Sequence, residues 1–352
     1  MRKIQKRKAD HIEVAMQEKV WPDHNHWDDV RLIQNSLPEV DLDDIDTSVR
    51  FLGKDLDMPL VVTAITGGYA KAERINANLA EACADLRVGL GVGSQRAGIE
   101  DRSDPSYTVL RDHDVPLRIG NIGAPQLIKQ GRKKAFTLDD VKAAFDMIDA
   151  DVMAFHLNYL QEAAQPEGDL RAVGCLDRIR ALAKDMPCMV KETGAGISED
   201  VALRLKGTGV VALDVSGLSG TSFAAVEMHR AKRQGDEGLA SIGELYSDWG
   251  IPAPVSVVQC QVGLPVMASG GVRHGLDLAR GIVLGASCGG YARAVLPAAL
   301  ESAERVKEVL ARTKRELKVA MFLTGSANIA SLANKDCVIT GRTKEWMDQL
   351  ET

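Results

Sequence analysis

Eight short apolar runs, each bounded by turn residues and separated from the next by a helix-like pattern, recur along the middle of this chain. They are 59–64 (PLVVTA), 87–92 (RVGLGV), 116–121 (PLRIGN), 151–156 (DVMAFH), 188–192 (CMVKE), 210–215 (VVALDV), 265–268 (PVMA) and 287–291 (SCGGY). Strands that alternate with helices must pair in parallel, because each crossover needs a helix to return the chain. Near-continuous apolar runs also fit strands buried on both faces. Eight such units predict an α/β fold, a closed (β/α)8 TIM barrel, with a doubly wound open sheet as the alternative. On this reading one domain fills the chain: residues 1–58 form an N-terminal extension, 59–296 the barrel core and 297–352 a C-terminal helical segment.

Within the extension, Ala9 to Lys19 reads as a helix carrying His11 and Glu13. Val49 to Leu56, broken at Gly53-Lys54, reads as a hairpin able to plug the barrel bottom. Ser216 to Gln261, after the sixth strand, is unusually long and includes GDEG at Gly235 to Gly238, so it predicts a lid or binding loop. Tyr246 and Trp249 within it could cap a ligand or pack the lid. Pro297 to Val319 looks helical, and the rest packs outside the barrel.

The 352 residues carry a formal net charge of −6, which gives no pull toward nucleic acid or an anionic membrane, so an anionic substrate needs local basic groups. With 32 glycines and only 4% aromatics, the composition suits many tight turns close to a ligand. No run is long and apolar enough to span a bilayer. The basic run Met1 to Lys8 has no apolar stretch after it and does not read as a secretory signal. Cys83, Cys175, Cys188, Cys260, Cys288 and Cys337 form no CxxC pair and read as reduced core thiols of a cytoplasmic protein.

A barrel of this kind keeps its chemistry at the C-terminal strand ends, and nearly every end here is polar or glycine-rich. The first strand runs into Ile65-Thr66-Gly67-Gly68, the second into Gly93-Ser94-Gln95-Arg96 and the third into Gly120-Asn121. The fourth ends in His156-Leu157-Asn158 with Gln161-Glu162 beyond it, and the fifth in Lys191-Glu192. Strands seven and eight lead to Ser269-Gly270-Gly271-Val272-Arg273 and Gly289-Gly290-Tyr291-Ala292-Arg293, where barrels often hold phosphate on backbone N–H groups; Arg273 would add charged donors. A lysine at the end of an apolar strand needs an anion nearby, so Lys191 either pairs with Glu192 or Asp214 or stands beside a flavin ring. Glu162 is either a carboxylate in an ordinary first helical turn or, near His156 and Asn158, a ligand for Mg²⁺ shared with substrate phosphates. The stretch Arg87 to Gly93 fails the GxGxxG fingerprint. His24 and His26 read as solvated residues of an irregular loop.

These residues together resemble the type 2 isopentenyl-diphosphate isomerases, a family of flavoenzymes. The resemblance is carried by Arg7-Lys8-Ala9-Asp10-His11-Ile12, Thr66-Gly67-Gly68, Gly93-Ser94-Gln95-Arg96, Gly120-Asn121 and the string HLNYLQEAAQPEGD from His156 to Asp169. Val190-Lys191-Glu192, Gly220-Thr221 and Ala268 to Arg273 complete it, collinear over almost the whole chain. Two positions depart from the family's pattern, Ile65 in place of Met and Ala294 in place of Pro, both apolar or backbone positions. The resemblance implies FMN held by Ala64, Ile65, Thr66, Gly67, Ser94, Asn121, Lys191, Ser216, Thr221, Gly271, Val272, Arg273, Ala292 and Arg293. It implies a substrate diphosphate met by Arg7, Lys8, Ser94, Arg96, His156 and Asn158, with Gln161 near the isoprene portion and Glu162 on Mg²⁺.

It further implies conversion of isopentenyl diphosphate to dimethylallyl diphosphate without net redox, reduced FMN serving as the acid–base group and NAD(P)H as its reductant. A homo-oligomer, tetramer or octamer, is implied too, with the N-terminal basic residues reaching a site with help from a neighbouring subunit. No catalytic side chain is assigned, which agrees with a protein that binds and orients while the cofactor moves the proton. The alternative is an FMN oxidoreductase of the 2-hydroxy-acid oxidase type, whose His-Gly-x-Arg string is absent at Ser216-Gly217-Leu218-Ser219-Gly220. A flavin-binding barrel without catalysis would leave His156, Asn158, Gln161 and Glu162 without a task.

Overall fold

The computed structural model describes residues 3–350, with side chains from Arg7 to Leu350; Met1 and Arg2 of the basic run, and Glu351 and Thr352 of the C-terminal segment, lie outside the described residues. Eight strands close a parallel barrel: β1 (Leu60–Val62), β2 (Gly89–Gly91), β3 (Arg118–Gly123), β4 (Val152–Leu157), β5 (Cys188–Glu192), β6 (Ala212–Asp214), β7 (Val266–Ala268) and β8 (Cys288–Tyr291). All eight expected strands are present, and the open sheet is excluded because β8 pairs with β1, Gly290 opposite Val61.

Side chains alternate across each strand with period two. Val61, Ile119, Ala154, Met189, Ala212 and Met267 face the barrel interior, whereas Met153, Phe155, Val190 and Leu213 face the surrounding helices. Two residues further along, the same inward positions are Thr63, Asn121, His156, Lys191, Asp214 and Ser269, all buried and all polar. The register brings them side by side, with His156 opposite Lys191 and Lys191 opposite Asp214. An apolar interior thus ends abruptly in a polar floor at the C-terminal mouth.

Strands Val49–Phe51 and Lys54–Leu56 form the expected hairpin, turning through Leu52 and Gly53 at φ of 49° and 80°. Positive φ at both central residues is the two-residue turn that matches strand twist. Phe51 and Leu56 pack into the inward cluster and close the bottom of the barrel.

Several element boundaries differ from expectation. The N-terminal helix runs Lys3–Gln17 rather than from Ala9. The C-terminal helical run is two helices, Leu296–Glu301 and Ala303–Leu323, parted at Ser302, whose hydroxyl caps the second by accepting from the Arg305 N–H. Beyond them, Cys337–Ile339 pairs antiparallel with Val30–Leu32, outside the barrel. The long stretch after β6 is not a loop. It holds Phe223–Gln234 and Glu237–Leu245, a helical hairpin, and then Ala253–Gln259, which packs on β7. GDEG is the joint: Gly235 ends the first helix at φ 73° and Asp236 caps the second. Cys83, Cys175, Cys188, Cys260 and Cys288 are buried, Cys337 half-buried, and all are free thiols. No helix among the described residues is long and apolar enough to cross a membrane.

Candidate active site

The polar floor opens into one cavity of about 650 Å³ at the C-terminal mouth, within the range of about 300–1,000 Å³ common for small-molecule sites. Every residue that the resemblance assigns to flavin, diphosphate or metal lines it. Ala64, Ile65, Thr66 and Gly67 come from the end of β1, Ser94 and Arg96 from β2, Asn121 from β3, and His156, Asn158, Gln161 and Glu162 from β4 and the turn after it. Lys191 follows from β5, Ser216 and Thr221 from β6, Gly271, Val272 and Arg273 from β7, and Ala292 and Arg293 from β8. Arg7 and Lys8 descend from the N-terminal helix of the same chain.

Cations crowd one side. Burial, then the charges of Lys191, Lys8 and Arg7, hold His156 down to about 3, so its ring is neutral. Its tautomer follows from its partner. Asn121 spends its amide N–H on the Val92 carbonyl at 3.0 Å and faces His156 with its oxygen, so His156 Nδ1–H donates to Asn121 Oδ1 at 2.7 Å. Lys8 is pushed down to about 7 by burial first and then by Arg7 and Arg96, against Asp104. Arg7 is lowered too, by burial and then Arg96. Arg96 is held by Asp169 Oδ2 at 3.0 Å. A pocket that drives Arg7, Lys8 and His156 toward their neutral forms is short of negative charge there, and an anionic ligand supplies it.

Glu162 sits at the edge of this group, 4% exposed. One carboxylate oxygen accepts from Asn158 Nδ2 at 3.1 Å, the other from the Asp169 N–H at 2.7 Å and from Gln165. Beside it, Asn158 Oδ1 and Gln165 Oε1 are buried with no hydrogen-bond partner. A carboxylate with two orphaned amide oxygens is a hard oxygen donor set, and it fits Mg²⁺.

The opposite wall is glycine-rich backbone. Gly270 and Gly271 follow each other at φ of 88° and 79°, a pair that only glycine adopts without strain. Their carbonyls are tied outward, to Trp27 Nε1 at 2.8 Å and Asn25 Nδ2 at 2.9 Å. Lys191 stands between the two walls. Its ammonium donates to the Glu192 carbonyl at 3.1 Å and lies 3.7 Å from Asp214. Of its two expected partners Asp214 is therefore the ion-pair one. The Glu192 carboxylate instead accepts three backbone N–H groups, from Thr193, Gly194 and Ala195, and burial pushes it up to about 7 despite them. A glycine-lined wall, a buried cation and a polar floor fit a flavin with its phosphate.

Three expectations are corrected. Arg273 was to add donors to a phosphate, but its guanidinium is engaged by Asp28 at 2.6 Å and Asp277 at 2.9 Å. His26 is buried, not solvated: its Nδ1 lies 2.9 Å from Thr343 Oγ1 and so joins the extension to the helix Gly341–Leu350, while His24 bonds Asp29 at 2.8 Å within the extension. Tyr246 and Trp249 do not cap the cavity; they meet edge to face at 5.6 Å on the outside of the lid, and Trp249 is 62% exposed.

Other residues have no counterpart in the sequence reading. Glu227, fully buried on the lid helix, accepts from His11 at 2.8 Å and from Gln161 at 3.2 Å and pairs with Arg230. Gln165 and Asp169 support Glu162 and Arg96. Both belong to the HLNYLQEAAQPEGD string, so a signal was present there, whereas Glu227 leaves none in the local pattern.

Comparison with known proteins agrees with this geometry. The sequence profile of the FMN-dependent dehydrogenase family matches residues 115–339. A protein of Thermoplasma volcanium named isopentenyl-diphosphate delta-isomerase is 49% identical over 346 residues, 98% of this chain and 99% of that one. One of the same name from Archaeoglobus fulgidus is 46% identical over 347 residues, 97% and 98% of the two chains. Among solved structures, a mandelate oxidase with benzaldehyde superposes with a TM-score of 0.60 at 20% identity, covering 89% of this chain and 87% of that one. That last likeness is one of fold.

Proposed function

The chain belongs to the isopentenyl-diphosphate delta-isomerase family, built on the fold of the FMN-dependent dehydrogenases, and from that premise we propose that it converts isopentenyl diphosphate to dimethylallyl diphosphate on reduced FMN. The observation that supports this most is a single cavity with Arg7, Lys8, Arg96 and His156 on one side and glycine backbone on the other. Reduced FMN, kept so by NAD(P)H, supplies the acid–base function for an allylic shift in which one carbon loses a proton and a carbon two bonds away gains one. Nothing is oxidised or reduced overall.

The chain's own residues bind and orient. Arg7, Lys8, Ser94, Arg96, His156 and Asn158 receive the diphosphate. Glu162 holds Mg²⁺ against it, and Gln161, clamped between Asn158 and Glu227, borders the isoprene portion. Ala64 to Gly67, Ser94, Asn121, Ser216, Thr221, Gly271 to Arg273, Ala292 and Arg293 wall the flavin, with Lys191 as the cation beside its ring. Phe223 and Val226, from the helix after β6, border the mouth and limit water at the reacting carbons. We place the enzyme in the cytoplasm as a homo-oligomer, a tetramer or octamer.

The test is an anaerobic assay of the purified, FMN-loaded protein with isopentenyl diphosphate, NADPH and Mg²⁺, alongside E162Q. Dimethylallyl diphosphate should form, and E162Q should need at least about tenfold more Mg²⁺, the loss of one charged contact. Failure to take up FMN ends the proposal; an unchanged Mg²⁺ requirement in E162Q ends the metal assignment alone. Bleaching of the flavin by 2-hydroxy acids would favour the oxidase reading instead.

A further inference from the structure

Lys8 is held at the mouth by two short hydrogen bonds. Its ammonium donates to the Ser94 carbonyl at 2.7 Å and to the Tyr107 hydroxyl at 2.7 Å, and that hydroxyl donates to the same carbonyl at 2.5 Å. Three groups from separate parts of the chain close a triangle. An ammonium has three N–H donors; two are spent here, and Lys8 lines the cavity.

Tyr107 itself does not reach the cavity. Its ring is fully buried and wedged under the loop that follows β1. A Cβ placed on Gly67 would lie 2.2 Å from Tyr107 Cε1, and one on Gly98 3.1 Å from Cδ2. A ring clamped this closely has one place for its hydroxyl, set by the barrel rather than by the ligand.

We propose that Tyr107 is a positioning residue for the diphosphate: with the Ser94 carbonyl, its hydroxyl holds the Lys8 ammonium so that one N–H is left for the anion. The proposal rests on the reading of Lys8 as a diphosphate ligand. The groups facing Lys8 give the hydroxyl its weight. Arg7 and Arg96 repel the ammonium, Asp104 attracts it, and burial outweighs all three, leaving Lys8 at about 7. The phenol is itself driven well above its usual range by burial and then Asp104, so it stays neutral and serves as acceptor to the ammonium. A hydrogen bond to the charged form favours that form. Without the hydroxyl, Lys8 sheds its proton at lower pH, and a diphosphate arriving near neutral pH meets an amine more often than an ammonium.

The experiment measures binding of inorganic pyrophosphate, without added metal, to the FMN-loaded protein at pH 6 and pH 8. Wild type is compared with Y107F, K8R and K8M, and each variant is taken as a ratio to wild type so that pyrophosphate's own ionisation cancels. Y107F should bind within about twofold of wild type at pH 6 and about tenfold more weakly at pH 8, the worth of one hydrogen bond to a charged group. An equal ratio at both values makes Tyr107 a packing residue and overturns the proposal. K8R, which keeps its charge throughout, should gain on wild type as pH rises; should Y107F fail to fold, a constant K8R ratio overturns the proposal by itself. If K8M binds as tightly as wild type at both values, the assignment of Lys8 to the diphosphate has failed, which the other variants do not report.

Discussion

At the scale of single residues, the site is made by what each polar group is denied. His156 is buried and faces Lys191, Lys8 and Arg7, so it is neutral far below its usual range, at about 3, and its Nδ1–H is spent on the Asn121 oxygen. Unfolded, the same imidazole binds a proton at about 6.5. Between these values the unfolded chain holds a proton that the folded chain does not, so stability is intact above pH 6.5 and is lost as pH falls toward 3. H156Q, whose amide can still donate to Asn121, should flatten this acid limb. His26, held near 4 by burial and then His24, should keep part of it. Thermal midpoints of the ligand-free protein between pH 7 and pH 4 check this, and parallel curves for the two proteins would count against a neutral His156. Residue identity at the strand ends was legible in sequence because a polar residue after an apolar strand has few reasons to be there. The partners were not. Tyr107 acts on Lys8, 99 positions away, and Glu227 on Gln161 and His11, 66 and 216 positions away, and no local spacing encodes such a contact.

At the scale of elements, the strands were readable and the cover over them was not. A strand buried on both faces is a continuous apolar run, visible without knowing its neighbours. The lid helix Phe223–Gln234 buries Glu227 and Arg230 together with Ala224, Ala225 and Val226, so its inner face looks polar and its helical period is blurred. Those charges are its purpose. Burial would raise Glu227, but the His11 hydrogen bond and the Arg230 charge outweigh it and hold the carboxyl low. Burial drives His11 the other way, toward its neutral form, so the counter-charge comes from Arg230. One carboxylate therefore clasps the N-terminal helix, the lid and Gln161. E227A would leave Arg230 buried without its closest partner, a loss of about 3–5 kcal/mol for a broken buried pair. Because the clasp joins elements that cover the barrel, the damage should stay local. Hydrogen exchange should quicken across 3–17 and 223–234 while β4 and β5 keep their protection; uniform quickening would mean the lid is part of the barrel's folding unit.

At the scale of the whole molecule, the barrel separates what stabilises it from what it does. Its interior is apolar from the hairpin at 49–56 up to Met189 and Met267, then polar from Thr63, Asn121 and Lys191 outward. The N-terminal extension spans both ends, since Phe51 and Leu56 plug the bottom while Arg7 and Lys8 line the mouth and Asn25 and Trp27 tie down the Gly270-Gly271 loop. That division makes a sharp expectation for the bottom. Phe51 is 1% exposed and sits among Leu56, Val61, Leu117 and Ile119 with no polar partner. F51A removes a ring whose neighbours, packed on short barrel strands, cannot collapse into the space, so it should cost about 3–5 kcal/mol. The mouth lies beyond a full layer of intervening side chains, and effects at separated sites without shared partners add rather than couple. Urea unfolding of F51A should therefore shift to a lower midpoint with an unchanged slope, while FMN affinity and the KM for isopentenyl diphosphate stay as in wild type. A loss of FMN affinity in F51A that matches the loss of stability would instead mean that the polar floor draws its geometry from the plug beneath it, and that the two ends of the barrel are one site.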